Sequence, residues 1–284
     1  MENPENRKTK KYYERFDAYS RFLHILVIIS FISLAITGMT IKFSGIGLFQ
    51  TISKMLGGYA VTGFIHRVAA VITFIYFGLH ISYLIKKMKK RKQSFRQFLK
   101  GQNSLIPNFH DLKELAATMK WFIGKGPRPQ YGRWTYWEKF DYWAVFWGVA
   151  VIGSSGLLLW FPEFFTSLGI PGAIINIATI IHSDEALLAV GFIFTYHFFN
   201  THFRPDKFPM DTVIFTGKVD LEELKEDRPK EYEAIMNDPE LQQKIGDEPP
   251  VFLEKASKIF GFTALVTGII LILLIIYSMI FLYK

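Results

Sequence analysis

GGYAVTGFIHRVAAVITFIYFGLHISYLI runs from Gly57 to Ile85 with no acidic residue, no lysine and a single arginine, Arg67. At about 1.5 Å per helical residue it is more than long enough to cross roughly 30 Å of hydrocarbon. Two histidines, His66 and His80, sit inside it. A histidine in a membrane span is costly to bury, so it ordinarily faces the bundle interior and has a task there.

Working outward, four more runs have the length and apolarity of spans: Phe22–Ile41, Phe140–Phe161, Ala173–Phe203 and Ile259–Leu282. The last is almost purely aliphatic, whereas the third and fourth spans carry Ser, Thr, Asp or Glu. The first run follows a long polar leader and has no small-x-small site after it, so it reads as a span and not as a cleavable signal. The expected fold is all-α, an integral membrane helical bundle of five transmembrane helices, four of them forming a cofactor-binding core. The expected division is a leader over 1–21, a four-helix membrane core over 22–203 with a loop at 86–136, a charged loop over 204–258 and a fifth span over 259–284.

The chain carries 33 Lys and Arg against 25 Asp and Glu, and their placement orients the spans. Arg7, Lys8, Lys10, Lys11, Arg15 and Arg21 precede the first span. Lys86, Lys87, Lys89, Lys90, Arg91 and Lys92 follow the second. Arg204, Lys207 and Lys218 follow the fourth. The loop after the first span has only Lys42 and Lys54, and Pro162–Gly172 has none. Basic segments on alternate sides put the N-terminus inside and the C-terminus outside, in what would be a bacterial inner membrane. The net charge of +8 is then a matter of topology and of contact with membrane lipid, and nucleic acid is not expected as a partner. The aromatic cluster Trp134–Trp147 reads as an interfacial belt. Asn108–Gly124 has helical apolar spacing with Asn108 as N-cap, and reads as a helix packed on the membrane face of the protein. Asp220–Pro249 reads as a loop with short helices.

The absence of cysteine excludes Cys-ligated iron–sulfur clusters, Cys-zinc sites and covalent haem attachment. A metal must be held by His, Met or carboxylates. Five of seven histidines lie in spans: His24, His66, His80, His182 and His197, with His202 at the inner end of the fourth and His110 in a loop. His66 and His80 are 14 apart and His182 and His197 are 15 apart, so at about 100° per residue each pair lies along one side of its helix. The second and fourth spans run in the same direction. They therefore present matched histidines at two depths, roughly 20 Å apart. Neutral imidazoles facing each other at two depths suit two bis-His haems, the outer on His66 and His182, the inner on His197 with His80. His24 is the alternative inner ligand, and a third haem between His24 and His202 is a further arrangement. Arg67 and Arg21 (or Lys86) are candidates for pairing haem propionates. Gly38, Gly63, Gly78, Gly148, Gly153, Gly156 and Gly191 are small residues within spans that permit close approach of a helix or a flat macrocycle. The competing reading of the same histidines is a proton-coupled transporter with a histidine relay and no haem. His110 reads as a surface residue.

Arg21-x-x-His24, Thr37-Gly38, His66-Arg67, His182 and His197 together resemble the membrane cytochrome b subunits of formate dehydrogenases and nickel–iron hydrogenases. The run from His202 through Arg204, Pro205 and Asp206 to Asp211 is similar to a subset of that family found beside multihaem c-type cytochromes. The paired spacing is also similar to that of respiratory cytochrome b. The resemblance implies four or five spans, two b haems, a quinone site near one haem, and pairing with a peripheral electron-transfer subunit, a multihaem cytochrome c or an iron–sulfur protein. It also implies that the subunit transfers electrons without a primary catalytic site of its own. In the formate dehydrogenase pattern the first-span histidine, here His24, ligates the inner haem, and the extra His80 departs from it. The quinone is expected near the inner haem, beside His24, His202 and Asp206, and the partner at the outer loops Gly45–Leu56 and Pro162–Gly172.

Overall fold

The computed structural model describes residues 10–90, 92, 94–101 and 104–282; Arg7, Lys8 and Arg91 of the basic segments lie outside them. The helices in chain order are α1 (Ala18–Lys42), α2 (Gly47–Met55), α3 (Tyr59–Lys90), α4 (Phe95–Lys100), α5 (Phe109–Phe122), α6 (Tyr136–Trp160), α7 (Pro162–Ser167) and α8 (Gly172–Phe192). After α8, two π turns, Ile193–His197 and Phe199–Phe203, continue the rod. Then come α9 (Val213–Thr216), α10 (Leu221–Asp227), α11 (Pro229–Met236), α12 (Pro239–Gln242) and α13 (Val251–Tyr277). Five of these rods are long and apolar enough to cross a membrane: Ala18–Lys42, Tyr59–Lys90, Tyr136–Trp160, Gly172–Phe203 and Val251–Leu282. The five expected spans are all there, each starting or ending a few residues from its hydropathy edge. The second begins at Tyr59 because Gly57 and Gly58, with φ of 98° and 95°, form the turn out of α2.

Hydrocarbon offers no water to a hydroxyl, so the span hydroxyls turn back on their own helices. Ser33 donates to the Ile29 carbonyl at 2.7 Å, Thr37 to Ser33 at 2.6 Å and Thr267 to Thr263 at 2.7 Å. The residues form two compact units. One comprises 23–83, 143–210 and, among the described residues, 260–282. Its core is Ala35, Met39, Phe43 and Phe49 with Val190, Phe194 and Phe198, closed by Leu265, Leu271 and Ile275 of α13. Gly268 is the point of tightest approach: a Cβ there would stand 2.6 Å from Phe194 and 2.7 Å from Phe198. The fifth span thus packs through a bare backbone on the two phenylalanines of the π-turn segment.

The other unit comprises 10–22, 84–142 and 211–259, apart from the residues outside the description. Its small antiparallel sheet adds strands to a fold expected to be all helix. In it β1 (Tyr12–Glu14) lies between β2 (Lys218–Asp220) and β3 (Ile245–Gly246). Tyr13, Val219, Leu224 and Ile235 form the core beneath it. Gly217 turns the chain into β2 with φ of 82°, and a Cβ there would meet the Phe16 carbonyl at 2.5 Å. Buried ion pairs join the three segments: Arg228 grips Glu138 through two bonds of 2.9 and 3.0 Å, and Arg133 and Arg15 both reach Glu231. The leader and the segments following the second and fourth spans therefore belong to one unit. Trp134 and Trp137 belong to this unit. Trp134 lies under the Arg133 guanidinium at 4.9 Å, and Trp137 is buried edge-on against Tyr131.

The expected helix at Asn108 forms, with Asn108 and Asp111 closing a capping box. Its buried face is polar: Asp111, Glu114 and Thr118 point inward and its apolar residues point out. Asp111 takes the Lys139 ammonium at 2.7 Å and Thr118 bonds the Tyr131 hydroxyl at 2.7 Å. The Glu114 Oε2 is buried and has no hydrogen-bond partner among the described residues, and burial raises the Glu114 pKa.

Two expectations follow from these contacts. Gly268→Ala should lower stability by about 1–3 kcal/mol through overpacking. Thermal unfolding would show this, with Phe198→Leu in the same chain recovering part of the loss and Gly191→Ala, which enters open space, costing little. For Glu114, a raised folded-state pKa means that its stabilising contribution is present below the ordinary carboxylate range and is lost as pH rises through the raised value. Glu114→Gln should therefore be more stable than the parent at pH 7, by on the order of 1 kcal/mol, with the gap closing as the pH falls to about 4. Melting curves across that range check it.

Candidate functional site

His66 of α3 and His182 of α8 face each other with ring centroids 6.1 Å apart and planes 75° apart. Each ring is held from behind. Thr37 gives its hydroxyl hydrogen to the Ser33 carbonyl, so its oxygen accepts from His66 Nδ1 at 2.9 Å. His182 Nδ1 donates to the Ile152 carbonyl at 2.9 Å, an acceptor that fixes the proton on that nitrogen. Ser155 lies 3.3 Å from the same nitrogen and spends its own hydrogen on Val151. With Nδ1 protonated in both rings, each Nε2 keeps its lone pair. This is the tautomer of a metal-ligating histidine steered by an outer partner.

The spacing can be tested against a metal. An imidazole nitrogen binds a first-row metal at about 2 Å, so two rings that would share one metal stand with centroids about 6 Å apart. The observed centroid separation is 6.1 Å. Backbone is drawn in close around both rings. A Cβ on Gly38 would come 3.2 Å from His66 Cε1, and one on Gly156 would come 2.9 Å from His182 Cε1. Arg67, next to His66, lies over the Trp160 ring at 5.9 Å.

At the other depth, His24 lies close enough to His197 and His202 for the three to interact electrostatically. His197 and His202 are carried by the two π turns, and Phe198 packs against both, with centroids at 6.4 and 5.9 Å. The His80 ring stands edge-on to Phe146 of α6 at 6.2 Å. Arg21 donates to the Phe215 and Thr216 carbonyls at 3.1 and 3.2 Å, and Arg204 grips Asp206. His110 is on the surface, as expected. Its ring, Asp111 and Glu114 bring ligand-type atoms within 4.8 Å of one another. Both Asp111 oxygens there are already engaged, by Lys139 and by the Asn108 amide.

Sequence reading did not assign roles to Thr37, to Ser155 or to the Ile152 carbonyl. A hydroxyl residue directly before a span glycine, in Thr37-Gly38 and Ser155-Gly156, is the signal that marks both places. The ion pair of Lys42 with Asp184 at 2.9 Å was also not foreseen; a lone lysine at one span end and a lone aspartate within another pointed to it.

A five-span helical bundle that brings two histidine rings within 6.1 Å of each other has the make-up of a membrane haem protein. Residues 3–101 of the 284 match the family model for prokaryotic cytochrome b561, a family of membrane haem b electron-transfer proteins. The match agrees with the cytochrome b resemblance read from the motifs. It covers the first two spans, with Arg21, His24, Thr37, Gly38, His66, Arg67 and His80, while His182 and His197 lie beyond it. No curated protein matches the chain.

Thr37→Val would leave the half-buried Nδ1–H of His66 without this acceptor. It should cost about 1–3 kcal/mol in a thermal melt, and Thr37→Ser should restore most of it.

Proposed function

We propose that the chain is a di-haem b-type cytochrome that passes electrons across the membrane between the quinone pool and a peripheral redox subunit. The observation that carries the reading is the facing of His66 and His182 at 6.1 Å with both Nε2 lone pairs free to bind. These two residues would hold the outer haem. The inner haem would rest on His197, and the closeness of His24 to His197 and His202 favours His24 over His80 as its partner. When bound, the haems supply one-electron transfer. The chain's own residues fix imidazole tautomer and plane, exclude water with apolar side chains, and offer Arg67 and Arg21 as cations for propionates. His24, His202 and Asp206 supply protonatable groups for a quinone beside the inner site.

The subunit would have no primary catalytic site of its own and would sit in a bacterial inner membrane, N-terminus inside and C-terminus outside. Met55, Phe164 and Leu168, exposed large apolar residues in or beside the outer segments, support docking of a multihaem cytochrome c or iron–sulfur partner there.

Purified protein should show a reduced b-type absorption spectrum, and His66→Ala or His182→Ala should each remove about half of the extractable haem. Comparing His24→Ala with His80→Ala identifies the inner ligand by which variant loses the other half. Added quinol should reduce the haems, and insensitivity to it would remove the quinone from the scheme. A colourless protein with substrate-dependent proton flux would replace the whole reading with the histidine-relay transporter.

A further inference from the structure

Helix α5 carries its polarity the wrong way round for a helix packed on a protein. Asp111, Glu114 and Thr118 occupy its inward face, while Phe109, Leu112, Met119 and Phe122 are 84%, 61%, 56% and 62% exposed. At about 100° per residue, Leu112, Ala116 and Met119 fall within roughly 60° of one another, with Leu115 and Phe122 on one border of that arc. Lys113 and Lys120 fall on the opposite border, and Lys125 follows the helix; all three are exposed. An apolar arc edged by lysines is the pattern of a helix lying in the headgroup region, its stripe among the upper acyl segments and its ammonium groups among anionic headgroups.

Its placement agrees. Asp111, in the first turn of α5, is held at 2.7 Å by Lys139, in the first turn of α6, and both side chains are buried. α6 is a membrane-crossing rod, so the ion pair fastens the polar face of α5 to the end of a span. There the outward face meets the boundary between lipid and water. A contiguous apolar stripe of this size left in water would be a liability for the protein.

We infer that α5 is an interfacial membrane-binding helix whose exposed stripe of Phe109, Leu112, Met119 and Phe122 inserts into the lipid boundary, with Lys113, Lys120 and Lys125 recognising anionic headgroups. The inference is independent of haem and of quinone. The polar inward face is what permits it, because the ion pair and the Thr118–Tyr131 bond replace the apolar packing that usually holds an amphipathic helix to its protein.

The chain has no cysteine, so single reporter sites can be placed in the full-length protein. Leu112→Cys and Met119→Cys, carrying a fluorophore, are reconstituted in phosphatidylcholine vesicles with and without phosphatidylglycerol. Ile180→Cys, an exposed span position, and Glu233→Cys, on α11, serve as lipid and water references. Brominated acyl chains should quench Leu112 and Met119 by about twofold or more, and phosphatidylglycerol should increase the quenching. Lys113→Glu with Lys120→Glu should abolish that increase. Quenching by aqueous iodide instead, at both positions, would overturn the inference. So would shielding from iodide and bromolipid alike, which would assign the stripe to a protein partner or a second copy. Two reporter positions keep the test open if one variant fails to fold.

Discussion

A neutral imidazole buried among helices must hand its one ring hydrogen to something, and the rest of the outer site depends on where that hydrogen goes. At His66 it goes to Thr37 and at His182 to the Ile152 carbonyl. Each acceptor lies on a helix other than the one bearing the histidine, so one hydrogen bond ties α3 to α1 and the other ties α8 to α6. The glycines follow from the same demand. Bringing the hydroxyls of Thr37 and Ser155 up to the ring edges leaves no room for a Cβ one residue on, hence Gly38 and Gly156. The helices contribute length and apolarity, and the hydrogen bonds contribute aim.

Much of this was legible in the sequence because hydrocarbon is an unforgiving solvent. Span length follows from bilayer thickness, and the five rods appear where hydropathy puts them. The facing of His66 with His182 was legible for a related reason, since both lie in unbroken α-helix and the period of about 3.6 holds between them and their surroundings.

What was not legible rests on departures from that period or on long-range pairing. The phase assigned to His197 assumed α-helix throughout, but Ile193–His197 and Phe199–Phe203 are π turns, which hold more residues per turn and rotate everything beyond them. Nothing in a helical wheel announces such a turn. Its packing against Gly268 involves a residue some seventy positions further along. The strand Tyr12–Glu14 was read only as part of a basic leader, because three residues carry too little alternation to mark a strand. The outward apolar stripe of α5 was seen as a stripe, yet its direction depended on Lys139 and Tyr131, partners that periodicity cannot see.

The pairing of β1 with β2 and β3 has a consequence for biosynthesis. Glu14 cannot meet Lys218, nor Tyr13 meet Ile245, until more than two hundred further residues have been made. At about 5–20 residues per second the N-terminal segment waits on the order of ten seconds or more. Four spans must by then have entered the bilayer, each in its proper sense, or the waiting strand and its partners would emerge on opposite faces. The sheet therefore closes only on correctly threaded chains. A molecule with one span mis-inserted would keep Arg15 from Glu231 and would leave Tyr13 and Val219 as unpaired strand edges. An unpaired strand edge of that kind is a ready template for pairing with another chain.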